Sequence, residues 1–181
     1  MRKEVFMAGT GGQGVLLIGQ LLTEAASQDG LEVSYFPIYS AEVRGGSTTC
    51  TVVISDDAVG SPISGRPATM LLMDQISVDA HLCRLKDGGL AVVNSSLVHT
   101  VDRKDIEVIS IDAMEKAIEI GSERIGNMVM LGAYVQAAEA VSLGALEKAL
   151  KIVLPERHHK LLPMNMAALE AGAELARQAR G

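Results

Sequence analysis

One run of residues constrains this chain more than any other: Gly9-Thr10-Gly11-Gly12-Gln13-Gly14, set between an apolar segment and a helical pattern. Before it, Glu4-Val5-Phe6-Met7-Ala8 reads as a short buried strand. After it, Gln13 to Gln28 reads as a helix whose apolar residues (Val15, Leu16, Leu17, Ile18, Leu21, Leu22, Ala25, Ala26) cover most of its circumference. Gly30 is a helix stop, and Leu31 to Phe36 alternates like a second strand. Strand, glycine turn, helix and strand make one βαβ unit, and with it an α/β fold.

The pattern continues in the same vein. Pro37 to Gly46 reads as irregular, Ser47 to Ser55 as a β-branched strand, and Ser61-Pro62 and Arg66-Pro67 as loop markers. Thr69 to Met73 is a further strand with Asp74 at its end, followed by a helix over Ser77 to Leu85 that stops at Asp87-Gly88-Gly89. Leu90 to Val93 and Glu107 to Ile111 complete the strands. Beyond Ala113 the pattern is helical. Asn127 to Val141 is apolar all round, so it must be buried by its own domain or by a partner chain. Ser142 caps a helix that Pro155 ends, and Met164 to Arg180 is an Ala-rich amphipathic helix. The expected architecture is a single three-layer α/β/α domain over residues 1–181, with a mainly parallel, mixed sheet and a helical C-terminal third.

Composition removes several function classes. With 16 Lys+Arg against 22 Asp+Glu the formal net charge is −6, which speaks against nucleic acid, whose phosphates need a basic face. Aromatics are only 3% with no Trp, so a base-stacking platform is not expected either. No apolar run reaches the roughly 18 residues of a membrane span, and Glu4 with the glycines interrupts what would be a signal peptide. Cys50 and Cys83 stand far apart without CxxC spacing and fit a reducing cytoplasm; they fall short of the four thiolates of an iron–sulfur cluster.

By pattern the glycine run is a dinucleotide fingerprint, G-x-G-x-x-G, with backbone N–H groups at a helix start facing an anion. Two residues are missing. No acid follows the second strand, where Phe36-Pro37 stand, and no Lys-Ser/Thr follows Gly14, where Val15-Leu16 stand. The alternative is that Gly9, Gly11, Gly12, Gln13 and Gly14 only let helix and sheet pack closely, or meet a partner. The second candidate is the loop Tyr39 to Gly46. Arg44 offers a planar fork for carboxylate or phosphate, and Gly45-Gly46 admit a close backbone; equally, Arg44 and Glu42 make an ordinary surface pair. His158 and His159 are adjacent and diverge on a helix, His81 and His99 lack neighbours at ligand spacing, and Asp74 has no nucleophile and base beside it. Met128, Met130, Met164 and Met166 read as core filler. No catalytic residue and no metal site emerges.

At these residues the chain resembles the gamma subunits of 2-oxoacid:ferredoxin oxidoreductases. The resemblance rests on G-T-G-G-Q-G at Gly9 to Gly14, E-V-R-G-G at Glu42 to Gly46, Asp87-Gly88-Gly89 with Asn94-Ser95-Ser96, and Gly126-Asn127-Met128-Val129-Met130-Leu131-Gly132-Ala133. The spacing of Pro155, Lys160, Asn165 and Gly172 also fits. It implies a cytoplasmic complex that oxidatively decarboxylates a 2-oxoacid with coenzyme A, giving acyl-CoA, carbon dioxide and reduced ferredoxin. Thiamine diphosphate, Mg²⁺ and iron–sulfur clusters are then expected on partner alpha and beta subunits and a ferredoxin-like delta subunit, with no cofactor on this chain. The 2-oxoglutarate type is favoured. The indolepyruvate type is the nearest alternative, and a free-standing Rossmann-like nucleotide-binding protein is the alternative of another class. The glycine turn and the Glu42, Arg44, Gly45, Gly46 loop would meet partners or the coenzyme A side of the site. The isolated chain would be inactive and would self-associate as a homodimer if its apolar helix lay bare.

Overall fold

The computed structural model describes residues 1–39, 46–59 and 65–181. Among these, six strands form one mixed sheet in the order β2-β3-β1-β4-β5-β6. The strands are β1 (Arg2–Thr10), β2 (Glu32–Tyr39), β3 (Ser47–Ser55), β4 (Thr69–Leu72), β5 (Leu90–Asn94) and β6 (Glu107–Ile111). The helices are α1 (Val15–Gln28), α2 (Gln75–His81), α3 (Ala113–Ile120), α4 (Gly126–Ala138), α5 (Leu143–Val153) and α6 (Leu162–Arg180). The strands β1, β4, β5 and β6 run parallel.

The expected βαβ unit is present with one insertion. β3 lies antiparallel between β1 and β2, so the crossover through α1 joins two strands that do not touch. β2 runs on through Pro37, Ile38 and Tyr39, residues expected from sequence to be irregular. As the edge strand, β2 tolerates a residue that donates no hydrogen bond.

Alternation along the strands divides the core. Val5, Met7, Val52, Ile54, Leu71 and Val92 face the cluster under α1 and α3 to α6, while Phe6, Ala8, Met70, Leu72, Ala91 and Val93 face the smaller cluster under α2 and the 3-10 turn Leu82–Arg84. The helices therefore load one face of the sheet far more heavily than the other.

α4 is the all-round apolar helix, and its cover comes from its own chain. Met128, Leu131 and Val135 are all buried, chiefly against α6. The two helices meet backbone to backbone: a Cβ added at Gly132 would collide with the carbonyl of Leu169, and one at Gly172 with the carbonyl of Val129. With α4 covered in this way, it gives no ground for a homodimer. Ser142 caps α5 by accepting from the Ala145 N–H at 3.0 Å, as expected.

Candidate functional site

The parallel strands end their carboxyl edge at the glycine turn. Three neighbours hold the turn in place. The Thr10 N–H donates to Gln13 Oε1 at 2.8 Å and to Asp74 Oδ2 at 2.9 Å, and the Thr10 hydroxyl also donates to Asp74 Oδ2. Asp74 Oδ1 accepts from the Ser77 N–H at 2.8 Å, so this carboxylate caps α2 and ties it to the turn. The Gly11 N–H donates to the Gly46 carbonyl at 3.0 Å, fastening the turn to the start of β3. Burial pushes the Asp74 carboxyl up, but the hydrogen bonds from Thr10 and Ser77 together outweigh it and hold it below the usual carboxylate range.

Two helix N-termini approach one another beyond the turn. α1 starts at Gly14 (φ 75) and α4 after Ile125, and no side chain caps either of them. They are so close that a Cβ on Gly14 would strike the Asn127 amide nitrogen. Between them and the ends of β4 and β5 lies a cleft of about 220 Å³, lined by Gly12, Gln13, Asn94, Arg124, Gly126 and Asn127, with Met73, Leu97, Met114 and Glu123 completing its walls. Such a crevice outside the carboxyl ends of parallel strands is where open α/β sheets bind ligands.

The polar groups in the cleft differ in what they are already doing. Asn94 is fully buried and committed: it donates to the Met73 carbonyl at 3.2 Å and accepts from Ser96 N–H at 3.3 Å and Ala113 N–H at 3.4 Å. Asn127 is 7% exposed, yet its side chain makes no hydrogen bond among the described residues. Arg124 is exposed at the rim, and its guanidinium forms no ion pair among the described residues. The positive ends of two helices and, among the described residues, an amide without a hydrogen bond and a guanidinium without an ion pair favour a negatively charged ligand group.

Of the residues singled out from sequence, Gly12 and Gln13 line this cleft, and Gly9, Gly11 and Gly14 shape the turn behind it. Gly46 holds the turn from β3, whereas Glu42, Arg44 and Gly45 lie outside the described residues. Asn127 and Arg124 were not among the sequence candidates. For Asn127 a signal was there, since it is a polar residue at the start of a mostly apolar helix. Neither thiol lines the cleft. Cys50 is buried beside the Val15 carbonyl, with its thiol pushed up to about 12 by burial, and Cys83 is exposed on the 3-10 turn after α2. No group of three or more His, Cys, Asp or Glu among the described residues is arranged to hold a metal ion.

The family model for pyruvate ferredoxin/flavodoxin oxidoreductase matches residues 4–175. The chain belongs to this family. Within it, the chain is 36% identical over 179 residues to ketoisovalerate oxidoreductase subunit VorA of Methanothermobacter thermautotrophicus, covering 96% of this chain and 36% of that subunit. This chain thus spans little more than a third of that relative. It is also 36% identical over 183 residues to 2-oxoglutarate synthase subunit KorC of Methanothermobacter marburgensis, covering 97% of both. The crystal structure of a keto/oxoacid ferredoxin oxidoreductase gamma subunit from Geobacter sulfurreducens superposes with a TM-score of 0.84 at 32% identity, over 97% of this chain and 99% of that one.

Proposed function

We propose that this chain is the gamma subunit of a 2-oxoacid:ferredoxin oxidoreductase, acting as one 181-residue gamma-type domain. The observation that carries the reading is its end-to-end likeness, at 36% identity, to a subunit of 2-oxoglutarate synthase. The same likeness favours 2-oxoglutarate as the substrate, because the ketoisovalerate subunit is matched over only 36% of its length. In this reading alpha and beta subunits, and a ferredoxin-like delta subunit, carry thiamine diphosphate, Mg²⁺ and the iron–sulfur clusters in a cytoplasmic complex. The complex oxidatively decarboxylates the 2-oxoacid to acyl-CoA, carbon dioxide and reduced ferredoxin. The chain alone is inactive.

The cleft between α1 and α4 is then this subunit's contribution to the coenzyme A side of the complex. Coenzyme A supplies the thiol that takes up the acyl group. The residues here act on its anionic part: Arg124 neutralises charge at the rim, Asn127 donates from the wall, and the N-terminus of α4 adds its positive end. Arg44 and its loop are the second proposed contact with coenzyme A or a partner.

Reconstitution tests both parts. Adding the chain to an alpha–beta complex stripped of gamma should restore methyl viologen reduction with 2-oxoglutarate and coenzyme A, while the chain alone should show none. Arg124→Ala and Asn127→Ala should each raise the KM for coenzyme A about tenfold, the loss of a hydrogen bond to a charged group, with little change in the KM for 2-oxoglutarate. Turnover by the isolated chain would overturn the subunit reading. Unchanged coenzyme A kinetics in both variants would remove the cleft from the site, and a thermal shift with NAD or FAD would favour the nucleotide-binding alternative.

A further inference from the structure

A second cavity, of about 260 Å³, opens at the opposite edge of the sheet, by the amino ends of β1 and β4. Its floor is a buried carboxylate. Glu4 is 8% exposed and accepts from the Ala68 N–H at 3.0 Å through Oε1; Oε2 takes no hydrogen bond among the described residues, although it is not sealed from the cavity. Beside it stands Tyr134, buried on α4. The Thr69 hydroxyl donates to the Glu4 carbonyl at 2.6 Å, so in the 3.2 Å contact of the two hydroxyls Tyr134 is the donor, and its oxygen keeps a lone pair free. The floor therefore presents two acceptors, Glu4 Oε2 and the Tyr134 oxygen, that take no hydrogen bond among the described residues.

The mouth has the opposite character. Arg2, Lys3 and Lys86 line it. Lys3 is occupied with the carbonyls of Ala138 and Glu139 at the end of α4. Lys86 is half exposed and forms an ion pair with Glu4, its ammonium 3.9 Å from Oε1 and so beyond hydrogen-bond reach. Ala68, Ala138 and Tyr134 add apolar lining. A plain anion would meet the Glu4 carboxylate, and a plain cation would meet three cationic side chains. The volume falls below that of pockets for drug-sized ligands and suits a small molecule.

We propose that this cavity binds a small zwitterion of the α-amino-acid class, its ammonium on Glu4 Oε2 and the Tyr134 oxygen, its carboxylate on Lys86, and its side chain against Tyr134 and Ala138. The site is independent of the cleft at the glycine turn and does not rest on the function proposed for it.

Thermal melting and calorimetric titration of the 181-residue chain with glycine, L-alanine, L-valine and L-leucine test this. At least one should bind saturably and raise Tm by about 5 °C or more when present at about 100 times its Kd. For valine, isobutylamine and isovalerate each carry only one of the two charges, and each should bind at least about tenfold more weakly, having lost a charged contact. Lys86→Met, at an exposed position, should weaken binding about tenfold in protein whose unliganded melt matches the parent, and Glu4→Gln should do the same where it folds. No saturable binding by any of the four amino acids would overturn the proposal. So would a half-molecule that binds as tightly as valine, or binding that survives Lys86→Met.

Discussion

The α-carbon of Gly14 sits against the side-chain amide of Asn127, so that a β-carbon there would overlap Asn127 Nδ2. This contact brings the N-termini of α1 and α4 together and leaves no room for any residue but glycine at the second of the two chain positions with positive φ in the turn. Gly14→Ala should cost about 1–3 kcal/mol, from the left-handed backbone and the displaced amide. Adding Asn127→Ala should relieve the overlap but not the backbone strain, so thermal melts of the double variant should recover only part of the loss. Full recovery would mean that the backbone conformation is unimportant.

Gly132 and Gly172 make a sharper case, because what a β-carbon would meet there is backbone that cannot swing away. Gly132→Ala and Gly172→Ala should each destabilise by about 3 kcal/mol or more by forcing α4 and α6 apart. Gly11→Ala is the control, since its β-carbon would make ordinary contact with the Gly46 carbonyl; it should fall within about 0.5 kcal/mol of the parent in denaturant unfolding.

Asp74 links the glycine turn to α2 through its charged form. Its folded pKa is lowered, so the stability it adds is present in full above the unfolded value of about 3.9 and is lost as pH falls through the lower folded value. Asp74→Asn should therefore cost about 1–3 kcal/mol at pH 7, with the gap to the parent narrowing below about pH 4. A gap that stays constant across the acid range would show that the charge contributes nothing.

The two cysteines should part company in thiol labelling. Cys83 is exposed and should react with a maleimide in the native protein, whereas Cys50, buried and with its thiol pushed up to about 12, should react only once the chain unfolds. Native-state labelling of both would contradict the packing of Cys50 beneath α1.

Local pattern was enough for most of the elements. β3 over Ser47–Ser55, β6 over Glu107–Ile111 and α5 from its Ser142 cap follow directly from β-branching, alternation and capping chemistry, which act over a few neighbouring residues. The glycine turn and the family motifs were legible in the same way. Pairing was not: that β3 enters between β1 and β2 depends on which strand edge remains open once β4 has paired with β1, and no short window of sequence records that. Nor did the sequence say what covers α4, because an all-round apolar helix is equally satisfied by its own chain or by a partner; the facing glycines Gly132 and Gly172, forty residues apart, decide for α6. The cleft was half visible. Gly12 and Gln13 announced themselves by spacing, while Asn127, Arg124 and the buried carboxylate of Glu4 became candidates only when folding gathered distant segments around a cleft and a cavity. Periodicity is a local property; the lining of a cavity is a tertiary one.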